Sequence, residues 1–66
     1  MDNDLEKRLK TAEAEVHLAS VRLVVVKTEI WLEKAETAFD REWIATALVD
    51  LKAVERRAFS MYCKIL

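Results

Sequence analysis

Neither glycine nor proline occurs anywhere in the 66 residues. These two residues punctuate turns more strongly than any others, and proline is the strongest helix breaker. Their absence leaves few tight turns and nothing that must interrupt a helix. It also excludes any glycine-rich loop that could cradle a phosphate. Cysteine and histidine appear once each, as Cys63 and His17. A single cysteine forms no internal disulfide, and with one distant histidine it falls short of a structural zinc site. A long uncharged run is missing too. The most apolar stretch, Val16 to Leu32, is interrupted by His17, Arg22, Lys27 and Glu29, whereas a membrane helix needs about 20 predominantly apolar residues. Neither sign of charge dominates: the net charge is −1, so nothing steers the whole molecule toward nucleic acid or an anionic membrane. The start, Met1-Asp2-Asn3-Asp4, is acidic and lacks the basic-then-apolar order of a signal peptide. With the lone thiol, this gives the expectation of a soluble, cytoplasmic protein.

What the chain does contain is helix-forming. Ala, Leu, Glu, Lys and Arg are abundant, and these residues propagate helices at least cost. The hydrophobic fraction of 53% is too high for a disordered tail. Leu5, Leu9, Ala12, Val16, Ala19, Leu23, Val26 and Ile30 recur at alternating spacings of four and three. That is a heptad seam with Leu9, Val16, Leu23 and Ile30 at a, and Leu5, Ala12, Ala19 and Val26 at d. Ile44, Ala47, Leu51, Val54, Ala58, Met61 and Ile65 repeat the pattern in the second half. Charged residues flank the first seam: Glu6, Glu13, Lys27 and Lys34 at e, and Arg8, Glu15, Arg22 and Glu29 at g. Such flanks mark helices that pack lengthwise on other helices.

Between the halves the same frame places Glu33, Thr37 and Asp40 at core positions. One continuous helix would carry three consecutive polar core positions, so the break is read as a turn. Thr37 and Asp40 are both good helix N-caps, and Glu42 suits the first turn of a following helix. The predicted fold is all-α: a single coiled-coil-like hairpin of two antiparallel helices over residues 1–66, with helix 1 about 3–37, a turn about 37–41 and helix 2 about 41–65. In this reading the two a/d seams face each other, with Leu23 opposite Val54 and Val16 opposite Met61. Leu5 and Leu9 overhang the end of helix 2.

Helix 1 has more apolar residues than one seam can use. Leu18, Val21, Val25, Leu32, Ala35 and Phe39 form a second stripe, widened by Val24 and Trp31, with Trp43 on the flank of helix 2. A helix apolar all round is a buried helix. A hairpin of this size buries only about 60% of its unfolded surface, and without disulfide or metal it relies on oligomerisation. The sequence therefore predicts an interaction face of Leu18, Val21, Val24, Val25, Trp31, Leu32, Phe39 and Trp43, its helix 1 members turned away from helix 2. It would be covered in a homodimeric four-helix bundle or by another helical protein.

Reactive chemistry finds little support. His17 lies four residues after Glu13, but a bundle di-iron site needs two Glu-x-x-His motifs and two further glutamates. Cys63 has no neighbouring base, only Lys64, and reads as an inert thiol. Trp31 and Trp43 fit the role of interface anchors, in which tryptophan is enriched. No catalytic, cofactor-binding or metal residue is assigned. The basic groups Lys52, Arg56, Arg57 and Lys7, Arg8, Lys10 are interspersed with acidic residues, a weak signal for phosphate contacts. The functional expectation is a small, non-enzymatic helical interaction module of adaptor, co-chaperone or inhibitor type. The alternatives are a dimeric bundle binding RNA or DNA through a helix face, and a purely structural coiled-coil segment.

Overall fold

The computed structural model describes residues 2–66. It consists of α1 (Asp2–Lys34) and α2 (Ala38–Ile65), packed against each other as an all-α helical hairpin. The molecule is one layer of two rods, 56 × 15 × 10 Å. Among the described residues, no helix is long and apolar enough to cross a membrane.

The turn is shorter and earlier than the sequence predicts, spanning 35–37 instead of about 37–41. Thr37 is the N-cap of α2. Its backbone is extended (φ −110°, ψ 152°) and its hydroxyl oxygen accepts the Asp40 backbone N–H at 3.1 Å. This satisfies one of the donors that a helix start leaves unpaired. Arg41 N–H then donates to Thr37 O at 3.1 Å. Asp40 sits in the first turn, where the helix dipole favours a carboxylate. Its Oδ1 accepts the Trp43 indole N–H at 3.2 Å. The end of α1 is closed by Ala35 N–H donating to Leu32 O at 3.3 Å, and by the Arg41 Nε donating to Ala35 O at 3.1 Å. No described residue has a positive φ. A turn without a left-handed residue has no need of glycine, which is how the chain reverses direction without one.

The packing corrects the sequence reading on a larger point. Leu18 and Val25 are each 5% exposed, and with Thr28, Ile44 and Ala58 they form the buried core. Thr11, Ala14, Val21 and Leu32 are half-buried on the same side of α1, and Ala35 continues that line into the turn, also half-buried. Together these residues make a heptad seam from Thr11 to Ala35, spaced three and four throughout. Opposite them on α2 lie Ile44, Leu48, Leu51, Ala58, Tyr62 and Ile65, each buried or half-buried. The Leu18–Val21–Val25–Leu32 stripe therefore faces α2, not away from it. The seam expected to face α2 is on the outside: Val16 is 66% and Leu23 55% exposed, and Leu5, Leu9, Val26 and Ile30 are exposed with them. Val54 and Met61, their predicted partners on α2, are exposed as well.

The physical reason lies at the turn. A three-residue connection obliges the residues just before and just after it to face each other. The inner seam stays apolar up to the turn through Leu32 and Ala35, and resumes at Ile44. The outer seam ends at Ile30 and would continue through Glu33 and Thr37. The inner seam also contains small residues, Ala14 on α1, Ala35 just past its end and Ala58 on α2, which let the helix axes approach closely. Thr28, its one buried hydroxyl, is satisfied within its own helix by donating to Val24 O at 2.8 Å.

Candidate interaction surface

Each position of the outer seam is two residues before its counterpart in the inner seam. At 3.6 residues per turn, two residues rotate by about 200°, so the two seams run along nearly opposite sides of α1. The outer side presents Leu5, Leu9, Ala12, Val16, Ala19, Leu23, Val26 and Ile30, all exposed, as one continuous strip. The corresponding side of α2 is largely polar, with Thr46, Asp50, Arg57, Ser60 and Lys64 exposed and Val49 its one large exposed aliphatic.

The edges of the hairpin are occupied differently. On one edge the Tyr62 hydroxyl donates to Glu15 Oε1 at 3.1 Å, and the Arg22 guanidinium lies over the Phe59 ring, 5.8 Å from its centroid. These contacts tie α1 to α2 and fix their register. The hydrogen bond to Glu15 raises the Tyr62 pKa above 10.0, with partial burial and the neighbouring charges of Glu15 and Cys63 adding to it in that order. On the other edge a shallow groove is lined by Lys10, Glu13, His17, Met61 and Ile65. Steps of one heptad along the helices carry this edge to Val24 and Trp31 on α1 and to Val54 and Ala47 on α2.

Of the eight residues predicted for the interaction face, four lie in the contact between the helices: Leu18 and Val25 buried, Val21 and Leu32 half-buried. They are not available to a partner. Val24, Trp31, Phe39 and Trp43 are exposed, as are the overhanging Leu5 and Leu9. The part of the surface that the sequence reading misses is the outer seam, whose heptad is legible but is assigned there to the hairpin core. The signal that separates the two seams is present in the sequence: counting Thr11, Ala14 and Thr28 makes the inner stripe unbroken up to the turn.

His17 and Cys63 are exposed. Among the described residues, no group of three His, Cys, Asp or Glu side chains is placed to hold a metal ion. Lys7 and Arg8 share a shallow depression with Asp4 and Glu15, so their charge is locally balanced. No protein-family model, curated protein or solved structure matches the chain.

Proposed function

We propose that this protein is a small helical interaction module that acts without catalysis, by packing the outer seam of α1 against another helix. The observation that supports this reading is the exposed heptad of Leu5, Leu9, Val16, Leu23, Val26 and Ile30 on a helix whose opposite side is already used by α2. Monomeric proteins rarely expose contiguous apolar strips of this size, and those that do use them for association. A charged border beside an a/d seam adds the means to choose a partner. The free thiol of Cys63 suits a reducing compartment, and the proposed setting is the cytoplasm.

The test compares the parent with a Val16→Asp/Leu23→Asp variant by circular dichroism, and by size analysis both purified and after cross-linking in host lysate. The expected result is a helical variant that has lost an assembly the parent forms, whether with itself or with another chain. A parent that remains a free monomer in both settings would overturn the proposal.

A further inference from the structure

The outer seam carries enough detail to specify its occupant. Resting on the interaction-module reading, we infer that the seam binds a second copy of this chain, with the two α1 helices antiparallel about a two-fold axis between Val16 and Ala19.

Side-chain size gives the first support. Antiparallel coiled coils set a positions of one helix opposite d positions of the other. Centring the pair on the exposed seam places Leu5 with the partner's Ile30, Leu9 with the partner's Val26, Ala12 with the partner's Leu23, and Val16 with the partner's Ala19. The two central layers each combine an alanine with a larger residue, as interdigitation requires. The outer two combine Leu with a β-branched residue. In this register the overhang beyond the end of α2 is covered, and both copies use the same patch, as a two-fold interface demands.

Charge gives the second. In antiparallel pairs g faces g and e faces e. The register above brings Arg8 near the partner's Glu29, and Glu15 near the partner's Arg22. It brings Glu6 near the partner's Lys27, while Glu13 meets the neutral Ser20. By symmetry every pair occurs twice, and none is like-charged. A parallel pairing, in which g faces the e position five residues on, would pair Arg8 with Glu13 and Glu29 with Lys34 but oppose Arg22 with Lys27, leaving two attractive pairs and one repulsive against three attractive and none repulsive in the antiparallel register. Acidic e positions in the first half of the seam and basic ones in the second thus favour the antiparallel arrangement over the parallel one.

Surface area gives the third. The chain exposes 5499 Å², whereas a compact monomer of its mass, 7.7 kDa, exposes about 4,300 Å². The excess of about 1,200 Å² belongs to the open, elongated hairpin as a whole, and it leaves room for the roughly 800 Å² that each partner contributes to a standard stable interface. Since the two seams of α1 are nearly opposed, the dimer is a row of four helices with the α1 pair in the middle.

Charge reversal with rescue tests the register. In sedimentation equilibrium the parent should be a dimer. Arg8→Glu alone and Glu29→Arg alone should each weaken dimerisation roughly tenfold, because symmetry doubles each lost pair. The double variant Arg8→Glu/Glu29→Arg should return to within about threefold of the parent. Residues 8 and 29 are about 31 Å apart along one helix, so rescue can arise only between copies. A double variant weaker than either single one would indicate the parallel pairing and overturn the inference, as would three variants indistinguishable from the parent. A second measurement does not depend on charge. In a Cys63→Ser background, chains carrying Leu9→Cys should cross-link to chains carrying Val26→Cys and not to themselves, since a disulfide spans no more than about 7 Å between Cα atoms. Self-linking of either variant overturns the inference. A purified parent that is monomeric, yet loses a complex with another chain through Val16→Asp/Leu23→Asp, refutes self-pairing and leaves the interaction-module reading standing.

Discussion

The two helices differ in how many interfaces their sequences can serve. α2 buries one stripe, from Ile44 to Ile65, and turns a largely polar side outward. α1 is apolar on two opposed sides, one closed against α2 and the other open. Both helices are rich in aliphatic residues, so apolar content alone does not distinguish them; the angular distribution does. A helix with one stripe is completed by a single neighbour, whereas one with two opposed stripes is completed by two. The hairpin supplies only one of them.

The most severe way to break this contrast is to charge the inner side of α1. Val25→Asp should abolish the cooperative helical fold. It buries an unpaired carboxylate at a position 5% exposed, costing several kcal/mol, comparable to the roughly 3–5 kcal/mol that a core of this size supplies. Leu23→Asp, two residues away on the outside, should leave the helical signal of a dilute sample unchanged. Circular dichroism with urea titration distinguishes them, and a Val25→Asp chain that melts like the parent would mean that α2 does not pack on this side.

A milder pair sharpens the same point. Leu18→Ala should destabilise the hairpin by about 2–3 kcal/mol, through lost burial and the cavity left behind. Leu23→Ala should change the unfolding free energy of a dilute sample by no more than about 0.5 kcal/mol. Equal losses at both positions would show that the two sides of α1 are equally buried, against the structure described here.

The helices and their antiparallel return are legible in the sequence because they depend on local propensity and on a polar break that interrupts one seam. The choice between the two α1 seams is not decided by either. The outer seam has the larger side chains, with Leu5, Leu9, Leu23 and Ile30, and looks like the better core. The inner one contains Thr11, Ala14 and Thr28, which an apolar count passes over. What decides is the position of the turn: Thr37 caps α2 so early that Leu32 and Ala35 must face Ile44. Moving the end of one helix and the start of the next about three residues earlier decides which side of a 33-residue helix is core. The candidate surface follows the same rule: Val24, Trp31, Phe39 and Trp43 are exposed whichever seam is core, whereas the main strip is a surface only because the turn closes the inner seam.

The cap itself offers the next test. Thr37→Ala removes the acceptor of the Asp40 N–H and should cost about 1 kcal/mol, visible as a lowered urea midpoint with an unchanged slope. The turn should keep its place, because Arg41 still closes the end of α1 through Ala35 O. An unchanged midpoint would mean that the hydroxyl contributes nothing to α2's start, and the account of why the inner seam was chosen would lose its anchor.

The smallest effect is expected at the edge where α1 and α2 share Tyr62 and Glu15. The neutral phenol donates to the Glu15 carboxylate at 3.1 Å. An ionised phenol cannot donate and is repelled by the same carboxylate, so folding favours the protonated form and raises the Tyr62 pKa above 10.0. The sign follows from linkage. A group whose pKa is higher in the folded state adds stability that is fully present below its unfolded value, and loses it as the pH rises through the folded one. The parent should therefore melt slightly above Tyr62→Phe at pH 8, and the difference should shrink from about pH 10 upward. Because the chain has one tyrosine, its ultraviolet absorbance reports this group alone, and the phenol of a urea-unfolded sample should ionise at lower pH than that of the native one. If the native phenol ionises at or below the unfolded one, the Tyr62–Glu15 bond does not hold this edge in solution, and the register of α1 against α2 rests on the inner seam and the turn alone.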